Sequence, residues 1–535
     1  MTGVPVPFGN PGAEAQVWVD AHAARLAPLL REAHLAEWES AVTGSEQASA
    51  GLAQTRAAVK RLFSDPEGAR RVRDLLDSDE IEDPLLRRQL QLLHLEFTAN
   101  QLPPETIREL AELSAALEHT FHTFRATLDG AAVTDNALLE ILRDGDDVAR
   151  RRAAWEASKQ IGRQVAEPLR ELVRRRNAAA RSLGFADFYR MELELQELDE
   201  ERLFALLDEF KRATDTPFAA LRERMDRALA GRFDTAPEEL RPWHWSDPFG
   251  QEAPPEGAVD LDALFAGGDL VQLAADFFRA LGLPMDEVLA RSDLWERPGK
   301  GQHAFCTDID REGDVRVLCN LRPTDRWMAT LLHELGHAAY DVHRPGDLPF
   351  LLRTPAHTLS TEAVAMLMGR LTRDPRWLRE AVGAELTREA QADVGEQLRT
   401  SMLVSTRWML VMAHFERALY RGPDREDLNQ LWWELVEEMQ RIRRPEGRDE
   451  PDWAAKIHLS SAPVYYHNYL LGELMTSQLG AAIRRSGAEG WEGMGHFLRD
   501  RVFARGAQED WAGLLVHATG EPLSARFFVE QFVAG

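Results

Sequence analysis

The sequence predicts a mainly α-helical protein with a small antiparallel β element next to one functional helix. Most of the 535 residues lie in segments rich in Leu, Ala, Arg and Glu. In these segments apolar residues recur at three- and four-residue intervals, the spacing of an amphipathic helix. One short region instead carries alternating or β-branched runs on either side of a tight turn, which is typical of a hairpin.

Four helical patterns are the clearest, and Pro and Gly pairs mark where such segments stop or turn. The patterns cover residues 18–41, 85–98, 105–128 and 386–419, and the breaks are Pro103-Pro104, Asp129-Gly130 and Gly422-Pro423. Residues 242–257 depart from this pattern, because Trp, Pro and acidic residues dominate there. We expect a long loop in that region.

The hairpin is predicted from residues 303–310 and 314–320, which flank a tight turn. Cys306 and Cys319 lie on its two sides and could face each other. Only two cysteines occur in the chain, which argues against a disulfide-stapled secreted protein. We therefore expect two reduced core cysteines.

Composition and charge narrow the class of protein. Hydrophobic residues make up 44% and charged residues 28%, which is ordinary for a soluble globular protein. Residues 1–19 contain several prolines but no basic stretch followed by an apolar run, so neither a signal peptide nor a spanning helix is expected. The net charge of −25 argues against nucleic acid or anionic membrane as partner. The expected location is the cytoplasm, and the oligomeric state stays open.

A metal-binding motif stands inside one helical pattern. His333, Glu334 and His337 form an H-E-x-x-H sequence with apolar flanks, and the helix has a plausible start at Thr324-Asp325. Residues i and i+4 share a helix face, so both imidazoles can bind one zinc ion. Glu334 lies beside that face, where it can take a proton from water.

Three residues are candidates for the third ligand. His343 has the spacing of a longer motif, but Tyr340 stands where that motif needs a chain-reversing Gly. Glu362 follows Ser360, a good N-cap, and a helix N-terminus would keep its carboxylate ionised. His357 is a more remote candidate. We favour Glu362, since two His and one Glu leave a zinc position open for water.

A second cluster could serve the transition state. Tyr466 and Tyr469 are three residues apart and share a helix face, and His458 lies just upstream. Hydroxyl and imidazole groups can stabilise the oxyanion that forms during peptide hydrolysis. By itself, however, such a tyrosine cluster is more often part of an aromatic core.

These residues resemble the gluzincin peptidases, namely the angiotensin-converting-enzyme-like peptidyl-dipeptidases and the thimet oligopeptidase/oligopeptidase F group. Residues 333–337, 351–353 and 361–363 are similar to the converting-enzyme pattern H-E-M-G-H, P-F-L-L-R and H-E-A. The resemblance gives Glu362 the third-ligand position and implies one zinc ion per chain. It also implies a single domain over residues 1–535 with two helical lobes around a deep channel. The zinc-binding core would comprise about 290–380 and 450–480.

Further matches imply roles in substrate binding. His303 and Ala304 resemble a strand that holds the peptide, and Lys456 with His458 resembles a K-F-H sequence that binds a terminal carboxylate and a carbonyl. The tyrosine pair resembles one in which the second hydroxyl, here that of Tyr469, stabilises the oxyanion and the first, that of Tyr466, positions the peptide. A weaker helical match covers Arg176-Asn177 and residues 180–185.

Three departures from the family pattern are visible. Met366 stands where converting enzymes have an acidic residue that supports a zinc-binding His. Asn468 replaces a chloride-binding Arg, so chloride activation is not expected. A Gln that would help Lys456 hold a carboxylate has no evident counterpart near residues 243–245.

The resulting hypothesis is zinc-dependent hydrolysis of short peptides with release of C-terminal dipeptides. Glu334 would act as base and then as acid. One alternative is an oligoendopeptidase that cuts internal bonds, in which Lys456 would be only a solvated surface residue. Another is a zinc-containing peptide-binding protein without turnover.

Overall fold

The chain folds into two compact units that interleave in sequence. The computed structural model describes residues 11–78, 80–254 and 259–533. Part of the N-terminal segment and the end of the loop at 242–257 lie outside these residues. Unit 1 comprises Met1–Gln101, Asp260–Glu385 and Met475–Leu523, and unit 2 comprises Leu102–Val259, Leu386–Leu474 and Ser524–Gly535.

Helices dominate both units, which confirms the mainly α prediction. In chain order they are α1 Pro11–Thr43, α2 Glu46–Phe63, α3 Pro66–Asp77, α4 Pro84–Ala99, α5 Pro104–Thr123, α6 Asp135–Asp144, α7 Val148–Ser182, α8 Phe188–Leu195, α9 Glu200–Arg232, α10 Leu261–Phe265, α11 Leu270–Ala280, α12 Asp286–Arg291, α13 Asp325–Val342, α14 Thr358–Gly369, α15 Pro375–Trp377, α16 Arg388–Arg421, α17 Leu428–Gln440, α18 His458–Ser461, α19 Tyr466–Arg485, α20 Gly490–Arg501, α21 Trp511–Thr519 and α22 Arg526–Phe532. Short 3-10 turns occur at Pro237–Glu239, Pro242–His244, Phe350–Leu352, Arg370–Arg373, Asp452–Ala455 and Phe503–Arg505, and a π turn at Leu378–Val382. None of the described helices has both the length and the hydropathy needed to cross a lipid bilayer.

Two small antiparallel hairpins interrupt the helices. The predicted hairpin is confirmed as β3 Phe305–Asp308 paired with β4 Val315–Leu318. Its register places Cys306 opposite Val317, and both cysteines are free thiols.

The other hairpin corrects the predicted helix at 105–128. That helix ends at Thr123, and β1 Ala126–Leu128 pairs with β2 Ala131–Val133. The turn between the strands needs positive φ at Asp129 (53°) and Gly130 (78°), residue types that tolerate such values. The Gln160 side chain of α7 bonds to both the N–H and the C=O of Thr127, at 2.9 Å each. These bonds give the N–H and C=O of Thr127 hydrogen-bond partners that they would find within the chain if the segment were helical.

The N-terminal part of unit 1 is a layer of four helices. Helices α3 and α4 both begin with Pro after an Asp N-cap, a combination that starts a helix with little loss of hydrogen bonding. The apolar faces of α1 to α4 meet in a core that excludes water, with Val19, Val72 and Leu90 at 0% exposure. Burial of this kind stabilises a helix more than its intrinsic propensity does.

The motif helix α13 is buried in unit 1. It begins as predicted with Thr324, whose side chain accepts a hydrogen bond from the N–H of Trp327. Its apolar flanks Leu331, Leu332 and Leu335 are fully buried. Gly336 faces α14, where a Cβ atom would lie 2.7 Å from Ala365 Cα. The glycine in the motif therefore permits a close approach of α13 and α14.

Candidate metal centre and substrate-binding segment

The two motif histidines converge as the helical spacing predicts. Nε2 of His333 and Nε2 of His337 are 3.3 Å apart, and their side chains are 28% and 15% exposed. Burial lowers the pKa of His333 to about 4 and that of His337 to about 3. Both rings are therefore neutral at pH 7, which is the form that binds metal.

Glu362 on α14 completes a triangle of donor atoms. Its Oε2 lies 3.5 Å from Nε2 of His333 and 3.9 Å from Nε2 of His337. Ligands at about 2.0–2.2 Å from a tetrahedral zinc ion lie about 3.3–3.5 Å apart. The two separations that involve His333 match this spacing, and the third exceeds it by about 0.4 Å. The three donors all fall within 4.8 Å of one another and could hold one metal ion. Neither His343 nor His357 belongs to this group.

The start of α14 corrects the predicted role of Ser360. The N-cap is His357, whose Nδ1 accepts from the N–H of Leu359 at 2.9 Å, and Ser360 Oγ accepts from the N–H of His357 at 3.0 Å. Glu362 therefore lies beyond the first helical turn, to which the dipole effect is largely confined. Burial dominates instead and raises the pKa of Glu362 to about 7.

His343 also has a structural place outside the donor triangle. It is the C-cap of α13, and its Nδ1 lies 3.0 Å from the carbonyl oxygen of Ala339. The backbone N–H of His343 donates to the same carbonyl oxygen at 3.2 Å, so the ring and the backbone of His343 both meet the last turn of α13. The absence of the chain-reversing glycine thus leaves His343 at the end of the helix.

The ring of His337 is oriented by Thr361. In converting enzymes an acidic residue at the position of Met366 has this role. Nδ1 of His337 lies 2.7 Å from Oγ1 of Thr361. An N–H at Nδ1 that donates to this hydroxyl leaves the lone pair of Nε2 directed at the metal position. Sequence reasoning missed this contact because it joins residues of two different helices.

Glu334 is a buried carboxylate beside the donor triangle. It is 7% exposed. Burial raises its pKa to about 8, the charge of Glu362 adds to this, and a hydrogen bond from the Cys306 backbone acts in the opposite direction. Strand β3 therefore orients this carboxylate, a role of Cys306 that the sequence did not reveal. His303, which is exposed, and Ala304, which is half-buried, immediately precede β3.

In unit 2, Lys456 has the glutamine partner that sequence comparison did not find. Lys456 Nζ donates to Oε1 of Gln251 at 2.8 Å. Gln251 lies six residues after Trp245, beyond a Pro-Phe-Gly turn. No motif in that loop marks it as a partner of Lys456. Lys456 is 8% exposed, so the alternative in which it is a solvated surface residue is wrong. Burial lowers its pKa to about 8.

The loop that carries Gln251 is fixed by a buried acid. Asp247 is 2% exposed and accepts from the N–H groups of Phe249 at 2.8 Å, Gln251 at 3.2 Å and Glu252 at 3.1 Å. Three backbone donors stabilise a buried carboxylate. The charges of Asp247 and Glu252 also oppose the fall in the pKa of Lys456.

Residues 464–469, the tyrosine segment, form an aromatic cluster with His458 in unit 2. The ring centroids of His458 and Tyr466 are 5.2 Å apart, and those of Tyr466 and Tyr469 are 5.3 Å apart. Trp408 Nε1 donates to the Tyr466 hydroxyl at 3.1 Å, so the Tyr466 proton can be donated to a ligand. Burial lowers the pKa of His458 to about 4. Asn468 Nδ2 donates to Gln196 Oε1 at 2.9 Å.

Comparison with known proteins identifies the family. The family model described as angiotensin-converting enzyme matches residues 10–222 and 262–491. The angiotensin-converting enzyme of Haematobia irritans exigua is 26% identical over 428 residues, which cover 74% of this chain and 69% of the relative. That of Rattus norvegicus is 23% identical and covers 91% of this chain, and that of Mus musculus is 21% identical and covers 99%.

The chain spans 39% of the Rattus norvegicus protein and 43% of the Mus musculus protein. The family match includes α13, α14 and the segment from Lys456 to Tyr469. It confirms the resemblance and the prediction of a zinc-dependent peptidase. The chain therefore belongs to the angiotensin-converting enzyme family of zinc metallopeptidases.

Proposed function

We propose that the chain is a zinc-dependent peptidyl-dipeptidase that removes dipeptides from the C-termini of short peptides. The observation that carries this proposal is the triangle formed by His333, His337 and Glu362 beside a buried Glu334. The separations of 3.3 and 3.5 Å that involve His333 match the spacing of zinc ligands, and membership of the converting-enzyme family supports the cleavage mode.

Glu334 is the proposed proton carrier. His333, His337 and Glu362 would hold one zinc ion per chain, and Zn²⁺ supplies a Lewis acid that polarises a carbonyl group and acidifies water. Glu334 takes a proton from the attacking water and passes it to the nitrogen of the leaving amine. Burial raises its pKa, which makes it a stronger base than a solvated carboxylate.

The carboxylate of the substrate C-terminus is assigned to Lys456 and Gln251. A buried ammonium is costly unless an anion or several hydrogen bonds compensate it. Lys456 has its Gln251 bond, and its terminal Nζ carries further N–H donors. A substrate carboxylate would accept from one of them and from the Gln251 amide. This pair favours release of C-terminal dipeptides over the cutting of internal bonds.

The oxyanion is assigned to Tyr469 and His458. A hydroxyl and an imidazole N–H stabilise the negative charge that develops on the carbonyl oxygen of the scissile bond. Tyr466, whose own hydroxyl oxygen accepts from Trp408, is proposed to position the peptide, together with His303 and Ala304. The family resemblance supports these five assignments.

A reducing compartment, the cytoplasm, is proposed as the location. The support is the low cysteine content and the free state of Cys306 and Cys319, since secreted proteins more often carry disulfides. Fractionation of cells followed by immunodetection tests it. Recovery with secreted or membrane material would refute this location.

The test of the activity is mass spectrometry of products from peptides of about 5–15 residues, each paired with a C-terminally amidated twin. The proposal expects dipeptides from the free-acid peptides and little product from the amidated ones. Glu334→Gln is the control for contaminating peptidases. Internal cuts that are indifferent to amidation would establish an oligoendopeptidase. Zinc binding without any cleavage would establish a peptide-binding protein.

A further inference from the structure

The tyrosine segment begins at a residue in an unfavourable backbone conformation. Val464 has φ = +54° and is fully buried. Of the described non-glycine residues with positive φ, it alone is β-branched. For such a residue this region is a genuine outlier, since the branched side chain crowds the backbone. Strain of this kind persists only where the surroundings impose it, and it is concentrated at functional sites.

Two side chains hold this backbone. Glu416 of α16 accepts from the N–H of Val464 through Oε1, at 2.8 Å. Gln196 donates from Nε2 to the Val464 carbonyl oxygen, at 3.3 Å. Both polar groups of the strained residue are thus bound to side chains from elsewhere in unit 2.

Gln196 also bonds to Asn468, in the first turn of α19. Its Oε1 accepts from Asn468 Nδ2 at 2.9 Å. One amide therefore joins residues 464 and 468, which flank Tyr466. The same side chain thus holds Val464, two residues before α19, and Asn468, the residue before Tyr469.

The stretch just before this turn is held in a similar way by Arg176. Its Nη2 donates to the carbonyl oxygen of Ser460 at 2.8 Å, and its Nη1 donates to the Tyr420 hydroxyl at 3.0 Å. Ser460 lies two residues after His458. The weak sequence match at Arg176 thus coincides with a side chain that fixes this segment.

Glu416 is an acid that the proposed chemistry does not use. It is 2% exposed, and burial raises its pKa to about 8, while the Val464 N–H and the charge of Arg176 act in the opposite direction and Glu192 adds to the rise. A buried carboxyl group is destabilising unless its hydrogen bonds compensate it. The hydrogen bond from the Val464 N–H partly compensates the burial of Glu416 and gives this carboxyl group a structural role.

We propose that Glu416, together with Gln196, is a positioning residue that holds Val464 at positive φ and thereby orients Tyr466 and Tyr469. The proposal rests on the function assigned to the tyrosine pair. Without the Glu416 acceptor, the Val464 backbone would lose the shorter of the two side-chain bonds that hold it, and φ would relax to negative values. The first turn of α19 would then shift, together with both hydroxyls.

Glu416→Ala and Glu416→Gln form the first test. Gln keeps an acceptor oxygen, so kcat should fall by no more than about threefold. Ala removes the acceptor, and since misplacement of a catalytic group by about 1 Å can cost about 100-fold, kcat should fall by about 10- to 100-fold. KM should change by less than about threefold, because binding of the C-terminal carboxylate is assigned to Lys456 and Gln251.

Val464→Gly in the Glu416→Ala background is the second test. Glycine adopts positive φ without steric cost, so the turn can persist without the acceptor. We expect kcat to recover by about three- to tenfold over Glu416→Ala alone. A merely structural role of Glu416 would lower the melting temperature without any rescue of kcat by the glycine.

The matched control is Glu200→Gln. Glu200 on α9 is a buried acid, 8% exposed, and it pairs at 2.6 Å each with Arg417 and Arg421 of α16, the helix that carries Glu416. Its loss should lower the melting temperature by an amount comparable to that for Glu416→Ala. The value of kcat should stay within about twofold of wild type, since Glu200 bonds to no residue of the tyrosine segment in the described part of the chain.

A readout without turnover separates this inference from the proposed function. Hydrogen exchange of peptides that cover residues 464–468 should be faster in Glu416→Ala than in wild type or Glu200→Gln, even if no substrate is cleaved. Unchanged exchange there, or a kcat within twofold of wild type, would overturn the positioning role. If Tyr469→Phe retains full activity while exchange responds as expected, the oxyanion assignment fails, but Glu416 still holds the backbone of Val464.

Discussion

Replacement of Gly336 by Ala tests how closely the metal centre depends on the approach of α13 and α14. A Cβ at this position would lie 2.7 Å from Ala365 Cα and 3.2 Å from Met368 Cγ. Non-bonded carbon atoms prefer about 3.5–4.0 Å, so α14 must retreat by about 1 Å at this point. The atom contacted is a backbone atom of α14, one turn from Glu362 on the same helix. Because a helix moves as a rigid body, Glu362 would be displaced with it.

The expected effect on zinc follows from this displacement. Zinc ligands tolerate deviations of only about 0.2 Å, so Glu362 would be withdrawn from the two histidines by more than the site can accept. Overpacking of this kind costs about 1–3 kcal/mol. The strain is relieved when α14 moves away in the zinc-free protein but must be borne in the zinc-bound protein. The zinc dissociation constant should therefore rise by about 10- to 100-fold.

The assay is competition with a chromophoric chelator, together with melting temperatures of the apo and zinc-loaded forms. The matched control is Gly395→Ala on α16, where a Cβ meets no atom within 4 Å. That change should leave zinc affinity unaltered and stabilise the helix by about 0.5–1 kcal/mol. A Gly336→Ala variant that binds zinc within threefold of wild type would refute the argument from helix proximity.

Four further predictions concern the metal centre and the pocket of Lys456. Removal of the ammonium in Lys456→Ala should reduce kcat/KM by about 10- to 100-fold on free-acid peptides and by less than twofold on their amidated twins, since a hydrogen bond to a charged group contributes about 1.5–3 kcal/mol. In the wild type, the ratio of kcat/KM for acid over amide should be constant below about pH 7 and fall as pH rises through about 8, because the Lys456 cation is lost there; a ratio independent of pH between 6 and 10 would contradict this. Thr361→Val, which removes the hydroxyl 2.7 Å from His337 Nδ1, should weaken zinc binding by about 10- to 100-fold in the same chelator assay, and unchanged affinity would show that this contact is incidental. Glu334→Gln should keep zinc but lower kcat by at least about 100-fold, and substantial residual turnover would exclude Glu334 as the proton carrier.

Local pattern was sufficient for much of the fold and the metal centre. The 3.6-residue periodicity predicted α1, α4 and α16, and the four-residue spacing of His333 and His337 predicted their convergence. The hairpin that leads into α13 was also correct, since its turn and alternation are local signals. These successes share one physical basis: a repeat within a segment determines which side chains lie on one face.

The misses are contacts between segments that are distant in sequence. Gln251 and Lys456 are 205 residues apart, and Thr361 supports His337 from another helix. No periodicity encodes such pairs. The cap of α14 was misassigned because Ser360 has a stronger capping propensity than His357, yet the histidine ring accepts the bond. The strand at Ala126–Leu128 was read as helix because alanine and leucine favour helices, whereas the turn at Gly130 and the side chain of Gln160 determine its pairing.

The most direct test of the central claim is zinc titration of metal-free protein, with bound metal and dipeptide release measured on the same samples. We expect activity to rise linearly and to saturate at one zinc ion per chain, with dipeptides as the product. We also expect Glu362→Gln to lose high-affinity zinc together with activity, whereas His343→Gln retains both. Dipeptide release that is complete without zinc, or a Glu362→Gln variant that binds zinc as tightly as wild type, would exclude this metal centre.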